Sequence, residues 1–385
     1  KMNVFSVCSG VFFKELQQTG KVFVISKEFL FLQIFYYFTM NINLLAMKKG
    51  FSILLLTVCL FLFACGEQQT GMPRLSEETE LTPDSLLLPA HTPELLVASD
   101  INLTKDLLYD KYTLEDTYPY GDTVRSFKWE TIRKCLAFIE NMHRDTSQWV
   151  VLRNYKNLNS EAPLVRRYIR NAYGRIADTL GVERYQSVPL YLTTDSSVPE
   201  RYGRDGSLAY LRGKAGSFLR IAPVVEDEEY LVPPRYLRVL PDSTVFHYVV
   251  FVDRGNQNIA TLERLSEGEW VIRSMNPATT GVHRPPYAQE TPLGMFLLQE
   301  KKTKMVFLKD GGSATGGYAP YASRFTNGAY IHGVPVNVPR TAMIEYSWSL
   351  GTIPRSHMCV RNATSHSKFI FDNMPAEATL IVVIE

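Results

Sequence analysis

A cysteine attacks as its thiolate, so a catalytic cysteine needs a neighbouring base to take its proton. The chain carries Cys359 in Leu350-Gly-Thr-Ile-Pro-Arg-Ser-His-Met-Cys-Val-Arg-Asn362, with Asn327-Gly-Ala-Tyr-Ile-His-Gly333 upstream. His332 and His357 are both candidate bases, and backbone N–H groups beside the sulfur, those of Met358 and Cys359, are candidates for holding an oxyanion. Histidine before cysteine is the reverse of the papain-like order. Zinc is an alternative use of His332, His357, Cys359 and His366, although their spacings match none of the common ligand patterns. A disulfide from Cys359 to Cys135 is another, but Cys135 lies in a stretch of helical period and reads more simply as a small core residue.

Three segments taken together resemble the L,D-transpeptidase catalytic (YkuD) domain family. They are Thr291-Pro-Leu-Gly-Met-Phe296, His332-Gly333 at the end of a strand, and Ser356-His-Met-Cys-Val-Arg361. The resemblance covers roughly residues 247–385 and is silent on 66–245. It implies an enzyme that cross-links peptidoglycan without a cofactor or metal. Cys359 is then the nucleophile toward the third residue of a donor stem peptide, releasing D-alanine and leaving a thioester. His332 takes the thiol proton, the Gly333 carbonyl orients a histidine, and His357 shapes the loop. Arg361 binds a substrate carboxylate, with Ser356, Tyr330 and Asn362 as further substrate-binding positions. The amine of an acceptor stem peptide takes the acyl group, making a 3→3 cross-link. With water as acceptor the same acyl-enzyme makes an L,D-carboxypeptidase or a cross-link hydrolase. A non-catalytic wall-binding lipoprotein is the alternative from another class.

Two departures from the family pattern stand out. Met358 occupies the place of a glycine, and if that position needs positive φ, methionine costs about 1 kcal/mol or more. The stretch from His332 to Ser356 is longer than usual, which suggests an enlarged loop over Val334 to Trp348 beside the site.

The elements that must position these residues read as α+β. Trp129, Ile132, Leu136, Ile139 and Met142 recur at helical spacing. A second helix is expected from an N-cap at Ser160 through Leu164, Tyr168, Ile176 and Leu180 to a Gly181 cap. Strands follow at 188–193, 207–211, 217–222 and 230–240, with 201–240 a candidate SH3-like unit. A second strand-rich block is expected at 247–253, 258–264, 269–275, 294–299, 305–308, 329–332, 368–372 and 379–384. The expectation is a mainly-β catalytic sandwich or barrel over 246–385, preceded by a helical and small-β accessory region over 101–245, with the boundary near Pro241–Thr244.

With 385 residues and a formal charge of +2, nothing points to nucleic acid. Met47-Lys-Lys followed by the apolar run Phe51–Phe63 and Leu62-Phe-Ala-Cys65 reads as a lipoprotein signal peptide over 47–64. Cys65 is the expected lipidation site, and 65–100 a flexible leash. Residues 1–46 read as upstream sequence from a start placed too early. The protein is expected in the cell envelope, held to a membrane by N-terminal lipid and facing the periplasm or outer side, with peptidoglycan stem peptides as partners.

Overall fold

The computed structural model describes residues 94–145, 147–224 and 226–385. The expected signal peptide, Cys65 and the upstream extension lie outside the described residues. Among the described residues no helix is long and apolar enough to cross a membrane.

The first expected helix, α1, spans Trp129–Arg144 and buries Ile132, Cys135, Leu136, Ile139 and Met142 along one stripe. It also buries Glu140, whose carboxylate takes Arg264 Nη2 at 2.8 Å and Trp270 Nε1 at 2.8 Å. Burial alone raises this group; His143, with Nδ1 3.6 Å away, and the hydrogen bonds and charge of Arg264 outweigh it and hold the carboxyl at about 2. Residues 94–100, expected as the end of the leash, are fastened to α1 instead: Leu96 exchanges two hydrogen bonds with the Asn141 amide.

Helix α1 covers one face of a six-stranded sheet, ordered Asn102–Lys105, Glu269–Pro277, Asn258–Ser266, Tyr248–Asp253, Thr379–Ile384, Gly294–Leu297. Side chains alternate across a strand. Val249 and Phe251 therefore join the α1 core, while Val250 and Val252 join a second core on the opposite face. Burial on both faces explains the unbroken apolar runs Tyr-Val-Val-Phe-Val and Thr-Leu-Ile-Val-Val-Ile.

The second core is closed by a smaller sheet of Glu300–Leu308, Thr315–Thr326, Ala329–His332 and Val360–Arg361, with Val336–Asn337 paired to the Thr315–Thr326 strand. Helix α2, Thr364–Asn373, contributes Ile370 to that core. This corrects the strand expected at 368–372. The Phe-Ile-Phe run is too short for periodicity to choose between strand and helix, and Lys368 pairs with Asp372 one helical turn away.

The remaining strands form a seven-stranded antiparallel sheet ordered Leu237–Val239, Gln148–Leu152, Leu208–Ala215, Phe218–Pro223, Tyr230–Val232, Ser187–Leu192, Arg201–Arg204. The β unit expected within 201–240 thus recruits strands from 148 and 187. The second expected helix is absent. Ser160, Gly174 and Gly181 have positive φ, and the stretch holds only short two-residue strands, Ile169–Arg170 and Ile176–Ala177. Leu164, Tyr168, Ile169 and Leu180 are exposed, so no core face demanded a helix.

Residues 94–385 belong to one compact unit. At one seam the Leu297 N–H donates to the Gly206 carbonyl at 2.9 Å. Buried Asp205 accepts from Arg324 Nη1 at 2.6 Å, Gln299 Nε2 at 3.1 Å and the Asn154 N–H at 2.7 Å. Gly206 has φ +87°, and a Cβ there would sit 2.0 Å from the Phe325 carbonyl oxygen.

Candidate active site

The strand that follows Cys359 lies beside the strand that ends in His332. Ala329–His332 and Val360–Arg361 pair in parallel, with Ile331 opposite Val360 and His332 opposite Arg361. On its far side Arg361 pairs with Thr279, through N–H···O bonds of 2.8 and 2.9 Å. The ladder thus fixes His332, Cys359 and Arg361 on a shared wall, and all three line one cavity of about 700 Å³.

His332 is buried, and its Nδ1 lies 2.6 Å from the Gly333 carbonyl oxygen. A carbonyl can only accept, so Nδ1 carries the proton and Nε2 keeps its lone pair. Burial lowers the ring's pKa to about 4; the Gly333 contact opposes this and the Arg361 charge adds to it. Gly333 is itself tightly held: its N–H donates to Pro320 O at 2.9 Å, and a Cβ would meet Thr364 Oγ1 at 2.7 Å.

Cys359 is half-buried, and its thiol faces the Gly328 carbonyl at 3.6 Å. Burial pushes the thiol up, while the Tyr330 N–H and the Arg361 charge pull the other way. Burial thus disfavours the charged form of both groups, the thiolate and the imidazolium. Arg361 is largely desolvated, which lowers its guanidinium, and its Nε has no hydrogen-bond partner among the described residues.

Met358 has φ +96°, in the left-handed region that favours glycine. The loop is nevertheless clamped. Thr291 Oγ1 donates to the Met358 carbonyl at 2.8 Å and accepts the Gly281 N–H at 2.9 Å. Gly281 packs so closely that a Cβ would lie 2.7 Å from Met358 Cα. Among the described residues no carbonyl accepts the N–H of Met358 or Cys359.

The other expected site residues divide. Ser356 is buried and donates its hydroxyl to the Cys359 carbonyl, so it braces the loop. His357 sits at the rim, with Nε2 3.0 Å from Asp310 Oδ2; it ties the loop to the hairpin between Glu300–Leu308 and Thr315–Thr326. Tyr330 and Asn362 are not brought to the cavity. The Tyr330 hydroxyl is 2.9 Å from that of Tyr155 and accepts from Lys302 at 3.3 Å, and only its backbone reaches the sulfur. Asn362 is wholly buried with neither side-chain amide atom paired, and its N–H donates to His332 O at 3.0 Å.

Sequence reasoning missed Thr291 as a brace and Asp310 as a rim contact. The first lay in plain sight in the Thr-Pro motif, and the second beside the Gly311-Gly312 turn. The stretch 334–348 lines a further cavity of about 330 Å³ through Ile344, Tyr346 and Trp348, and Arg361 borders both.

The family model of the L,D-transpeptidase catalytic domain (YkuD) matches residues 247–384. Among solved structures the chain is similar to an L,D-transpeptidase from Mycobacterium tuberculosis H37Rv, at 18% identity over 49% of this chain and 70% of that one, with a TM-score of 0.28. An L,D-transpeptidase from Mycobacterium smegmatis is 18% identical over 45% of this chain and 79% of that one, with a TM-score of 0.29. One from Xylanimonas cellulosilytica is 19% identical over 38% of this chain and 64% of that one, with a TM-score of 0.24. A search of curated proteins found no match. Residues 247–384 form a domain of the L,D-transpeptidase catalytic (YkuD) family.

Proposed function

We propose that this protein is a peptidoglycan L,D-transpeptidase that works through a thioester on Cys359. The observation that carries the reading is the His332 tautomer: Nδ1 is committed to Gly333, and Nε2 is left as an acceptor in the cavity that holds the thiol. In the first step the Cys359 sulfur attacks the carbonyl before the terminal D-alanine, and the thiol proton passes to His332 Nε2. The oxyanion meets the N–H groups of Met358 and Cys359. Collapse forms the thioester and expels D-alanine, whose amine takes that proton. In the second step the side-chain amine of an acceptor stem peptide attacks the thioester. It loses a proton to His332, which returns it to the sulfur, and a 3→3 amide bond results. Arg361, without a carboxylate partner, supports docking of a substrate carboxylate through its planar fork.

The Lys48-Lys49 start and apolar run before Cys65 support an export signal and lipid attachment. We therefore place the domain at a membrane surface in the cell envelope. Incubation of the purified chain with disaccharide-tetrapeptides, read by mass spectrometry, tests the reaction. Tripeptide-containing dimers that vanish for Cys359→Ala are expected. Tripeptide monomers alone would reassign the protein as an L,D-carboxypeptidase, and no conversion would leave a wall-binding role.

A further inference from the structure

Between the seven-stranded sheet and the Gln289–Phe296 segment lies another cavity, of about 430 Å³, which shares no lining residue with the Cys359 cavity. Its size falls within the range of small-molecule pockets. Leu180, Val182, Pro292, Leu293 and Phe296 give it apolar walls, and Arg204 opens onto it.

The other charges around it have partners, although Arg201 Nε is buried without one; Glu290 Oε2 lies 3.2 Å from His283 Nδ1. Arg201 grips Glu226 with two bonds, of 2.8 and 3.0 Å. Arg254 donates to the Thr291 carbonyl at 2.8 Å and faces Glu385 at 3.5 Å. Glu183 accepts from Asn171, Arg175 and Gln289 at 2.8 to 3.0 Å. Asp178 accepts the N–H groups of Leu180, Val182 and Tyr202. Arg204 alone among these has no hydrogen bond or ion pair from its side chain among the described residues. Burial lowers its guanidinium, against the attraction of Asp178 and Glu183. Arg204 is part-buried and lines the cavity with its donors unused, so a carboxylate there would gain charge-assisted hydrogen bonds from it.

We propose that this cavity binds a carboxylate carried on a short aliphatic chain, docked on Arg204 with its apolar part against Leu180, Val182 and Leu293. The occupant touches the segment that carries Thr291, the residue bracing the Met358 carbonyl, so the site abuts the support of the nucleophile loop. The proposal stands apart from the catalytic reading.

Isothermal titration of the purified chain tests it, using acetyl-alanyl-alanine, its C-terminal amide and hexanoate as probes. Arg361→Gln is carried in every sample so that carboxylate binding in the Cys359 cavity drops out. Saturable binding of an acid is expected, weakened about tenfold or more in Arg204→Gln and in the amide probe. Leu180→Trp, at the exposed rim, is expected to block the cavity with Arg204 intact. Tighter binding of the dipeptide than of hexanoate would identify a peptide C-terminus as the ligand, and equal binding a simple aliphatic acid. Equal binding of acid and amide, wild-type affinity in a folded Arg204→Gln variant, or no saturable binding by the unaltered cavity would overturn the proposal. Should Arg204→Gln fail to fold, Leu180→Trp decides, and unchanged affinity there would overturn it.

Discussion

His332 and Arg361 face each other across a parallel strand pair, each the last residue of its strand. Direct partners project to the same side of a sheet. A permanent positive charge therefore stands beside His332 and, together with burial, resists its protonation. One short ladder thus keeps His332 neutral and leaves a guanidinium open to an anion.

The pH dependence of the reaction follows. Because His332 stays unprotonated down to about pH 4, the acidic limb of kcat/KM is expected near 4 and not near the ordinary histidine value of about 6.5. Arg361→Gln removes the neighbouring charge and is expected to move that limb upward, alongside a rise in KM. A rate profile from pH 3.5 to 9 reads both effects.

Stability has its own pH signature. His332 titrates at about 4 and His366 at about 3 when folded, both lowered by burial. The unfolded chain takes up these protons first as the pH falls below about 6.5, so the native state loses stability from there downward. His332 contributes on the order of 3 kcal/mol and His366 on the order of 5 kcal/mol at neutral pH, lost as the pH falls toward 3–4. Urea midpoints at pH 7 and 4.5 should differ accordingly, and His366→Gln should flatten the slope.

Met358 is strained by its backbone but contributes a side chain to the second core. Met358→Gly relieves the strain and loses the packing, so its net change in stability is small. Met358→Ala keeps the strain and loses the packing, and should be about 1 kcal/mol less stable than the glycine variant. Faster alkylation of Cys359 in Met358→Gly would show that the methionine crowds the sulfur, whereas an unchanged rate would count against crowding.

The Arg324–Asp205 pair is buried on both sides. Asp205→Ala strips Arg324 of its buried carboxylate, leaving Glu300 and the Gln299 amide, each at 3.2 Å, and is expected to cost about 3 kcal/mol. Chemical denaturation of the single variant measures this, and a loss below 1 kcal/mol would contradict the fastening role assigned to the pair.

Much of the site was legible in the sequence because backbone geometry dictates it. The apolar strand before His332, the glycine after it, and the polar loop around Cys359 all leave marks at single positions. The positive φ of Met358 left no mark of its own, since only the resemblance, which has glycine there, raised it. Tyr330 and Asn362 were misplaced because adjacency along the chain says nothing about where a side chain points: one reaches Tyr155 and the other is sealed inside. The stretch 160–181 misled because the residues at helical spacing, Leu164, Tyr168 and Leu180, are exposed, while Ala162, Val165 and Ala177 are the buried ones. Its turns are instead set by Asn171 and Asp178, whose side chains accept nearby backbone N–H groups. That role is ambiguous in sequence, since both residues are also ordinary surface polar residues.

The central claim is that Cys359, deprotonated by His332, carries the acyl group. Intact-protein mass spectrometry after brief exposure to disaccharide-tetrapeptide, with no acceptor amine present, tests it most directly. A single adduct of the donor less D-alanine, mapping to Cys359 and greatly reduced in His332→Gln, is the expected result. An adduct on another residue, or full acylation in His332→Gln, would contradict it.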